Sequence, residues 1–321
     1  MNIAILDDYQ HAVSQLNCFE LLKDFNVKLL DKTYQNPKDL AKEIQDAEIL
    51  VLIRERTKID DELLSLLPNL KLISQTGKIS NHLDLAACTK YGVAVAEGIG
   101  SPIAPAELTW ALIMNATRKI PQAIEAMKKG EWQTNIGSAI HGKTIGIWGY
   151  GKIGQKIAQY AKVFGAEVLV WGSENSRQKA IEDGYQAANS REEFFSISDV
   201  ISLHIRLNEQ TKGIVRFEDL KLMKREAVIV NTSRAELIEE NALSKALSQN
   251  TPTYAALDVY EIEPIYDQTN EFLKNPNIIC TPHLGYVEEN SYELYFSKAF
   301  ENAINFIAAN PTNIANSEVL E

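Results

Sequence analysis

An arginine, a glutamate and a histidine each stand shortly after an apolar run in the second half of the sequence. The three runs are residues 227–231, 254–258 and 277–280. Ligands of open α/β sheets bind at the carboxyl ends of the strands, so Arg234, Glu263 and His283 are expected at one site. Hydride transfer to a 2-keto acid needs a cation for the substrate, a proton donor for its carbonyl oxygen and a carboxylate that keeps the donor imidazole charged. Arg234, His283 and Glu263 supply these groups in that order.

Each of the three residues also has a purely structural interpretation. Arg234 is then a surface arginine after a strand, Glu263 an acid in the first turn of a helix beside Pro264, and His283 a turn residue after Pro282. Their joint placement after successive predicted strands favours the catalytic interpretation.

A glycine-rich turn follows the apolar run at residues 145–148 and precedes a predicted helix. Gly149 permits a sharp turn out of the strand, Gly151 lets the backbone approach a pyrophosphate, and Gly154 lets the helix pack close to the sheet. The amino-terminal N–H groups of the helix then bind the phosphates. The residues of this turn predicted to bind a dinucleotide are Gly149, Tyr150, Gly151, Lys152, Ile153 and Gly154.

The choice between NAD and NADP depends on the end of the next strand, residues 168–171. An NAD enzyme places an acid there to bind the ribose 2′-hydroxyl, whereas this sequence has Gly172. Ser173 and Arg177 follow and are suited to a 2′-phosphate, so NADP is favoured over NAD. Glu174 lies between them and is the alternative ribose ligand.

Length and composition indicate an ordinary globular protein with two domains. The 321 residues are 45% hydrophobic and 23% charged, and no apolar stretch approaches the roughly 20 residues that span a bilayer. The net charge of −11 and the absence of a basic cluster argue against a nucleic acid partner. The amino terminus lacks the features of a signal peptide, which favours a cytoplasmic location. Three scattered cysteines form neither a disulfide framework nor a metal site.

Strand and helix signals alternate along the whole chain, which predicts parallel sheets covered by helices on both faces. They form two α/β blocks, at residues 1–97 and from about residue 100, joined by a long helix over residues 102–118. A tail helix over residues 287–309 carries an apolar face that needs a partner surface. The other predicted strands are residues 2–6, 27–30, 49–53, 70–74, 93–96 and 200–203, and the other predicted helices are 37–45, 60–66 and 83–91.

The ordered motifs resemble the D-isomer-specific 2-hydroxyacid dehydrogenases, of the D-3-phosphoglycerate dehydrogenase and glyoxylate/hydroxypyruvate reductase kind. The resemblance covers nearly the whole chain. The matching segments are residues 54–59, Gly77, the glycine-rich turn, and residues 202–207, 231–234, 258–264 and 281–285.

The resemblance implies an NAD(P)-dependent oxidoreductase that acts on a small 2-keto or D-2-hydroxy acid. It also implies a homodimer, the assembly that is common in the family. Arg234, Glu263 and His283 are then the catalytic set. Asp258 is expected to bind the nicotinamide carboxamide, and Thr232 and Ser233 to line its pocket. The matched motifs add His204 and Gly285 on the cofactor side, and Arg54, Gly77, Lys78 and Ile79 on the substrate side. No metal is implied.

The resemblance also implies a discontinuous domain arrangement. A flavodoxin-like substrate-binding domain comprises residues 1–97 and 288–321, and a doubly wound Rossmann cofactor domain comprises residues 98–287. Two positions depart from the family pattern. Ser80 stands in the loop where a Gly-x-Gly pattern is usual, and Ala235 replaces a glycine after Arg234, which requires a negative φ there.

Two other functions share this fold. A non-enzymatic dinucleotide sensor resembling the C-terminal-binding-protein corepressors is compatible with the same residues. A formate dehydrogenase is disfavoured, because glutamine is expected there in place of Glu263.

Overall fold

The computed structural model describes all 321 residues as two α/β units. The strands are β1 (Asn2–Ile5), β2 (Asn26–Leu29), β3 (Ile49–Leu52), β4 (Leu72–Gln75), β5 (Ala94–Ala96), β6 (Thr144–Trp148), β7 (Glu167–Trp171), β8 (Gln186–Ala187), β9 (Val200–Leu203), β10 (Val228–Asn231), β11 (Tyr254–Leu257) and β12 (Ile278–Cys280). The helices are α1 (Pro37–Ile44), α2 (Asp61–Ser65), α3 (Leu85–Lys90), α4 (Ile103–Arg118), α5 (Ile120–Lys128), α6 (Lys152–Val163), α7 (Glu174–Glu182), α8 (Arg191–Ile197), α9 (Phe217–Leu220), α10 (Ala242–Ser248), α11 (Glu271–Lys274) and α12 (Glu289–Ile307). Short 3-10 helices cover Val13–Gln15, Asn17–Leu22, Ala235–Leu237 and Ser317–Leu320.

Unit 1 comprises Met1–Ser101 and Glu288–Glu321. Its five strands are all parallel in the order β2-β1-β3-β4-β5, the flavodoxin-like order. The tail helix α12 belongs to this unit and contacts β3 and β4. The Ser74 hydroxyl donates to the Ala299 carbonyl at 2.8 Å, and Phe296 and Phe300 are buried. The apolar face of the tail is therefore covered by the unit 1 sheet.

Unit 2 comprises Pro102–Val287 and holds a seven-stranded parallel sheet. Its order is β12-β11-β10-β9-β6-β7-β8, which is the doubly wound Rossmann arrangement extended by one strand. Successive residues of each strand face opposite sides, so the sheet has two apolar cores. One includes Trp148 and Ile229, and the other includes Ile147 and Val230. The predicted α/β fold class, with a doubly wound sheet, is confirmed.

The structure adds elements that the sequence patterns did not predict. Helix α5 begins with Pro121 in its first turn, directly after Lys119, whose left-handed backbone ends α4. None of its residues is buried, although its apolar residues recur at helical spacing, at Ile120, Ala123, Ile124 and Met127. The 3-10 helices of unit 1 and the two-residue strand β8 are too short to carry a period. No helix in the chain combines the length and the apolar character needed to cross a bilayer.

Candidate active site

His283 and Glu263 form a direct contact in unit 2. The His283 Nδ1 atom lies 2.6 Å from Glu263 Oε2, and the two side chains are 23% and 32% exposed. The other carboxylate oxygen, Oε1, accepts the backbone N–H of Tyr260 at 2.8 Å. The Tyr286 ring stands edge-on to the imidazole at 5.3 Å between centroids. The carboxylate therefore orients the ring through Nδ1, leaving Nε2 as the group that can exchange a proton.

Asp258 anchors the loop that carries His283. It is fully buried, and its carboxylate accepts hydrogen bonds from the Thr281 hydroxyl at 2.6 Å and from the N–H groups of Leu284 and Gly285 at 2.7 and 2.9 Å. Burial raises the pKa of Asp258, and these hydrogen bonds oppose that rise. His283 itself has a φ of +52°, the left-handed region that side-chain-bearing residues rarely adopt. Asp258 thus stabilises a strained loop conformation, a role that the sequence did not indicate.

Arg234 lies between β10 and a 3-10 helix, and a compact turn holds its backbone. The buried Asn231 side chain donates to the Arg234 carbonyl at 2.8 Å and accepts the Ser233 N–H at 3.1 Å. The guanidinium Nη1 donates to the Ser233 carbonyl at 2.6 Å. Ala235 begins the 3-10 helix and is not among the residues with positive φ, so the extra methyl group is accommodated.

Thr232 and Ser233 are fixed to neighbouring elements. The Thr232 hydroxyl lies 2.7 Å from the Thr109 hydroxyl of α4, and the Ser233 hydroxyl donates to the Ile205 carbonyl at 2.7 Å. The turn after β10 is therefore held from both sides. Thr109 was not predicted as part of the site, because only the folded chain shows that α4 passes beside β10.

The glycine-rich turn between β6 and α6 is packed as tightly as its sequence predicted. Gly149 has a φ of +101°, and a Cβ there would lie 2.6 Å from the His204 carbonyl oxygen. A Cβ at Gly154 would collide with the Gly149 carbonyl. By contrast, a Cβ at Gly151 meets nothing within 4 Å, and no side chain caps α6. The amino terminus of α6 is therefore uncapped and has free space beside Gly151, as a pyrophosphate site requires.

The side chain of Tyr150 is buried and hydrogen-bonded within the protein, so it is not available to a ligand. Its ring is 4% exposed, and its hydroxyl donates to Asp183 at 2.9 Å. Burial, followed by the neighbouring Asp183, raises the pKa of Tyr150 well above its usual value. Tyr150 therefore contributes only backbone groups to the turn. Lys152 and Ile153 open α6, so their backbone N–H groups are among those at its amino terminus.

The junction between β7 and α7 carries the residues predicted to distinguish the two cofactors. Gly172 has a φ of +146°, and Ser173 is the N-cap of α7, accepting the Ser176 N–H at 3.3 Å. The Arg177 guanidinium lies over the Trp171 ring at 5.0 Å, and its Nε makes no hydrogen bond. Glu174 is exposed in the first turn of α7. A cation–π contact with Trp171 thus holds the Arg177 guanidinium at this junction.

His204 is a half-buried residue of unit 2. It lies just after β9, and its Nε2 is 2.9 Å from the Ser202 hydroxyl. Burial lowers the pKa of His204 to about 4. Its carbonyl oxygen, rather than its ring, is the group against which Gly149 packs.

The residues predicted on the substrate side lie in unit 1, after β3 and β4. The Arg54 N–H donates to the Thr76 hydroxyl at 3.0 Å, and the Arg54 side chain occupies the space a Cβ at Gly77 would need. Glu97 forms an ion pair with Lys78 at 2.7 Å and accepts the Ile79 N–H at 3.0 Å. The Ile79 N–H is therefore engaged within unit 1, by Glu97.

Comparison with known proteins identifies the family. The NAD binding domain of the D-isomer specific 2-hydroxyacid dehydrogenases matches residues 110–285. A D-3-phosphoglycerate dehydrogenase from Methanocaldococcus jannaschii is 37% identical over 77% of this chain and 47% of its own length. A glyoxylate reductase from Thermococcus litoralis is 32% identical over 92% of this chain and 94% of its own. A solved phosphoglycerate oxidoreductase from Vibrio cholerae O395 is 54% identical over 96% of this chain and 99% of its own, with a TM-score of 0.94.

The chain therefore spans about half the length of the D-3-phosphoglycerate dehydrogenase it matches and nearly all of the glyoxylate reductase. All three relatives are named as oxidoreductases, and none supports the non-enzymatic alternative. The resemblance predicted from the motifs is confirmed: the chain belongs to the D-isomer specific 2-hydroxyacid dehydrogenase family.

Proposed function

We propose that the protein is an NAD(P)-dependent dehydrogenase that interconverts a small 2-keto acid and a D-2-hydroxy acid. The observation that carries the proposal is the 2.6 Å contact between His283 and Glu263, in the same unit as the glycine-rich turn. An imidazole oriented by a carboxylate is suited to donate a proton to a carbonyl oxygen during reduction. The open space before α6 fits the pyrophosphate of a dinucleotide.

In the direction of reduction, the Arg234 guanidinium binds the substrate carboxylate and polarises the carbonyl group. His283 donates its Nε2 proton to the carbonyl oxygen as the carbonyl carbon accepts a hydride, and Glu263 stabilises the imidazolium before transfer. The nicotinamide, when bound, supplies the hydride. In the direction of oxidation, neutral His283 takes the hydroxyl proton. The remaining proposed cofactor contacts are His204, Thr232, Ser233, Asp258 and Gly285.

We propose that NADP is preferred over NAD. The support is local to the β7–α7 junction: Gly172 stands in place of an acid, and the guanidinium of Arg177 lies nearby, over the Trp171 ring. A carboxylate repels the 2′-phosphate, so its absence removes a barrier to NADP, and the arginine adds attraction. Glu174 remains the alternative, since a carboxylate at this position would bind the ribose of NAD.

We propose a substrate-binding role for unit 1, through Arg54, Gly77, Lys78 and Ile79. Arg54 has a φ of +55°, and such a backbone strain is often retained where a side chain has a ligand to bind. The ion pair between Lys78 and Glu97 favours a backbone contribution from this loop over a contribution from the ammonium group.

We further propose a homodimer in the cytoplasm. The support for a dimer is a group of exposed apolar side chains in unit 2, Ile124, Met127, Trp132, Ile136 and Val163, between 49% and 89% exposed. The support for the location is that Cys18, Cys88 and Cys280 are all free thiols, as is usual in reducing compartments.

The proposed activity is tested with purified protein and a panel of 2-keto acids. Glyoxylate, hydroxypyruvate and phosphohydroxypyruvate are each assayed with NADH and NADPH, and product chirality is determined. We expect reduction of at least one member to a D-2-hydroxy acid, with the higher kcat/KM for NADPH. Absence of turnover with every pair, for protein that binds NADPH, would contradict the enzymatic proposal.

A further inference from the structure

We propose that the Tyr260 hydroxyl is a positioning group for the His283–Glu263 pair. The role of the pair in proton transfer rests on the proposed function. The role of the tyrosine rests on the geometry of unit 2. Tyr260 follows β11 and is three residues before Glu263, so it belongs to the loop that carries the carboxylate. It also reaches the loop that carries the histidine.

The first link runs through the backbone of Tyr260. Its N–H donates to Glu263 Oε1 at 2.8 Å, while Glu263 Oε2 faces His283 Nδ1 at 2.6 Å. The two carboxylate oxygens thus serve different partners. The position of the Tyr260 backbone fixes the plane of the carboxylate, and with it the alignment of the bond to the imidazole.

The second link runs through the phenol. The Tyr260 hydroxyl lies 3.1 Å from the Leu257 carbonyl and 3.1 Å from the Thr281 carbonyl, at the ends of the neighbouring strands β11 and β12. The Thr281 carbonyl also accepts the backbone N–H of His283 at 3.0 Å. Tyr260 and His283 therefore share one acceptor oxygen, and movement of the phenol is transmitted to the histidine backbone.

This restraint matters because His283 adopts the left-handed backbone conformation, which costs free energy and persists only where surrounding contacts hold it. Asp258 holds the far side of the loop, at Leu284 and Gly285. The Tyr260 hydroxyl holds the near side, at Thr281. Burial raises the pKa of Tyr260 far above neutrality, so its hydroxyl remains a donor throughout the working pH range.

The ring of Tyr260 has a separate structural role, because it packs against the apolar core that contains Leu257 and Ile229. Tyr260→Phe keeps this packing and removes only the hydroxyl. Tyr254→Phe is the matched control, since Tyr254 starts the same strand and its hydroxyl is outside the network.

The decisive measurement is the pKa of the His283 imidazole in the intact protein, determined by NMR titration of isotope-labelled histidines. The chain has five histidines, and the spectrum of His283→Gln assigns the signal. Within unit 2 the imidazole meets the carboxylate of Glu263, the ring of Tyr286 and the charge of Asp258. A less well aligned carboxylate stabilises the imidazolium less, so we expect Tyr260→Phe to lower the pKa of His283 by at least about half a unit. Tyr254→Phe leaves it unchanged.

Kinetics provide the second readout. We expect Tyr260→Phe to lower kcat for 2-keto acid reduction about tenfold, to leave the KM for NADPH within twofold, and to move the alkaline limb of the pH–rate profile to lower pH. The limb moves this way because reduction requires protonated His283. An unchanged pKa of His283 in Tyr260→Phe would overturn the proposal. The NMR titration needs no substrate, so it decides the role of Tyr260 even for an inactive protein. An inactive wild-type protein would reject the proposed function only.

Discussion

His283 combines two properties that are rarely found in one residue, a strained backbone and a short contact to a carboxylate. The strain at φ +52° is offset by the hydrogen bonds that Asp258 accepts from the same loop. The alignment with Glu263 is set by a different group, the Tyr260 N–H. Asp258 and Tyr260 therefore restrain the histidine from different sides, and each residue can be substituted by itself.

We expect His283→Ala to lower kcat at least about a hundredfold, because it removes the proton donor and leaves the glycine-rich turn intact. Cofactor affinity, measured by NADPH fluorescence titration, should stay within about threefold of the wild type. His11→Ala is the control, because the His11 side chain is 72% exposed in unit 1. Turnover within tenfold of the wild type would show that His283 is not the proton donor.

Among the elements, the junction of β7 and α7 carries the residues on which the proposed NADP preference rests. Gly172→Asp, the obvious way to restore an acid, is a poor test here, because φ +146° is strained for any side chain. A distorted turn would weaken the binding of both cofactors. Arg177 offers a cleaner test, since its backbone is helical and its guanidinium projects over Trp171.

We expect Arg177→Ala to lower kcat/KM for NADPH about tenfold or more and to change that for NADH less than threefold. The reason is the loss of a charge-assisted hydrogen bond to the 2′-phosphate, worth about 1.5–3 kcal/mol. Lys179→Ala removes an exposed cation from the same helix and serves as the control. A wild-type preference for NADH that Glu174→Ala abolishes would instead identify Glu174 as the ribose ligand.

All strands except β8 were predictable to within two residues at each end, because buried parallel strands are largely apolar runs, as in Ile49–Leu52. The place of Arg234, Glu263 and His283 after successive strands was predictable for the same reason. The left-handed conformation of His283 was not, since it depends on Asp258 reaching across from the neighbouring strand. The role of Tyr260 likewise depends on two carbonyl groups that are close only in the folded chain.

At the scale of the whole molecule, the unfolding of unit 2 can be followed separately from that of unit 1. All four tryptophans, Trp110, Trp132, Trp148 and Trp171, lie in unit 2. Tryptophan fluorescence therefore reports the unfolding of unit 2 alone. It can be used to measure how His204 affects the stability of this unit.

We expect unit 2 to lose stability as the pH falls from about 6.5 towards 4. The folded-state pKa of His204 is lowered to about 4 by burial, so its stabilising contribution is present above the unfolded value near 6.5 and is lost as the pH falls towards 4. The loss is on the order of 2–3 kcal/mol. Urea titrations at fixed protein concentration, followed by tryptophan fluorescence, should show His204→Gln losing correspondingly less than the wild type. Exposed His141→Gln is the control, and equal losses in all three proteins would contradict the prediction.

The proposed homodimer rests on the exposed apolar side chains of unit 2. Helix α5 has no buried residue, and its apolar side chains Ile124 and Met127 are 49% and 66% exposed. Exposed apolar surface of this kind usually marks an interface. A closed twofold pair buries the same patch on both copies, so a single substitution weakens the interface twice.

We expect light scattering at micromolar concentration to give about 72 kDa, twice the chain mass of 35.9 kDa. Met127→Glu should shift the mass towards one chain, because it places two carboxylates in an apolar contact. Ile181→Glu, on α7 and 54% exposed in the wild type, adds the same charge elsewhere and should leave the pair intact. A wild-type mass near that of one chain would reject the dimer.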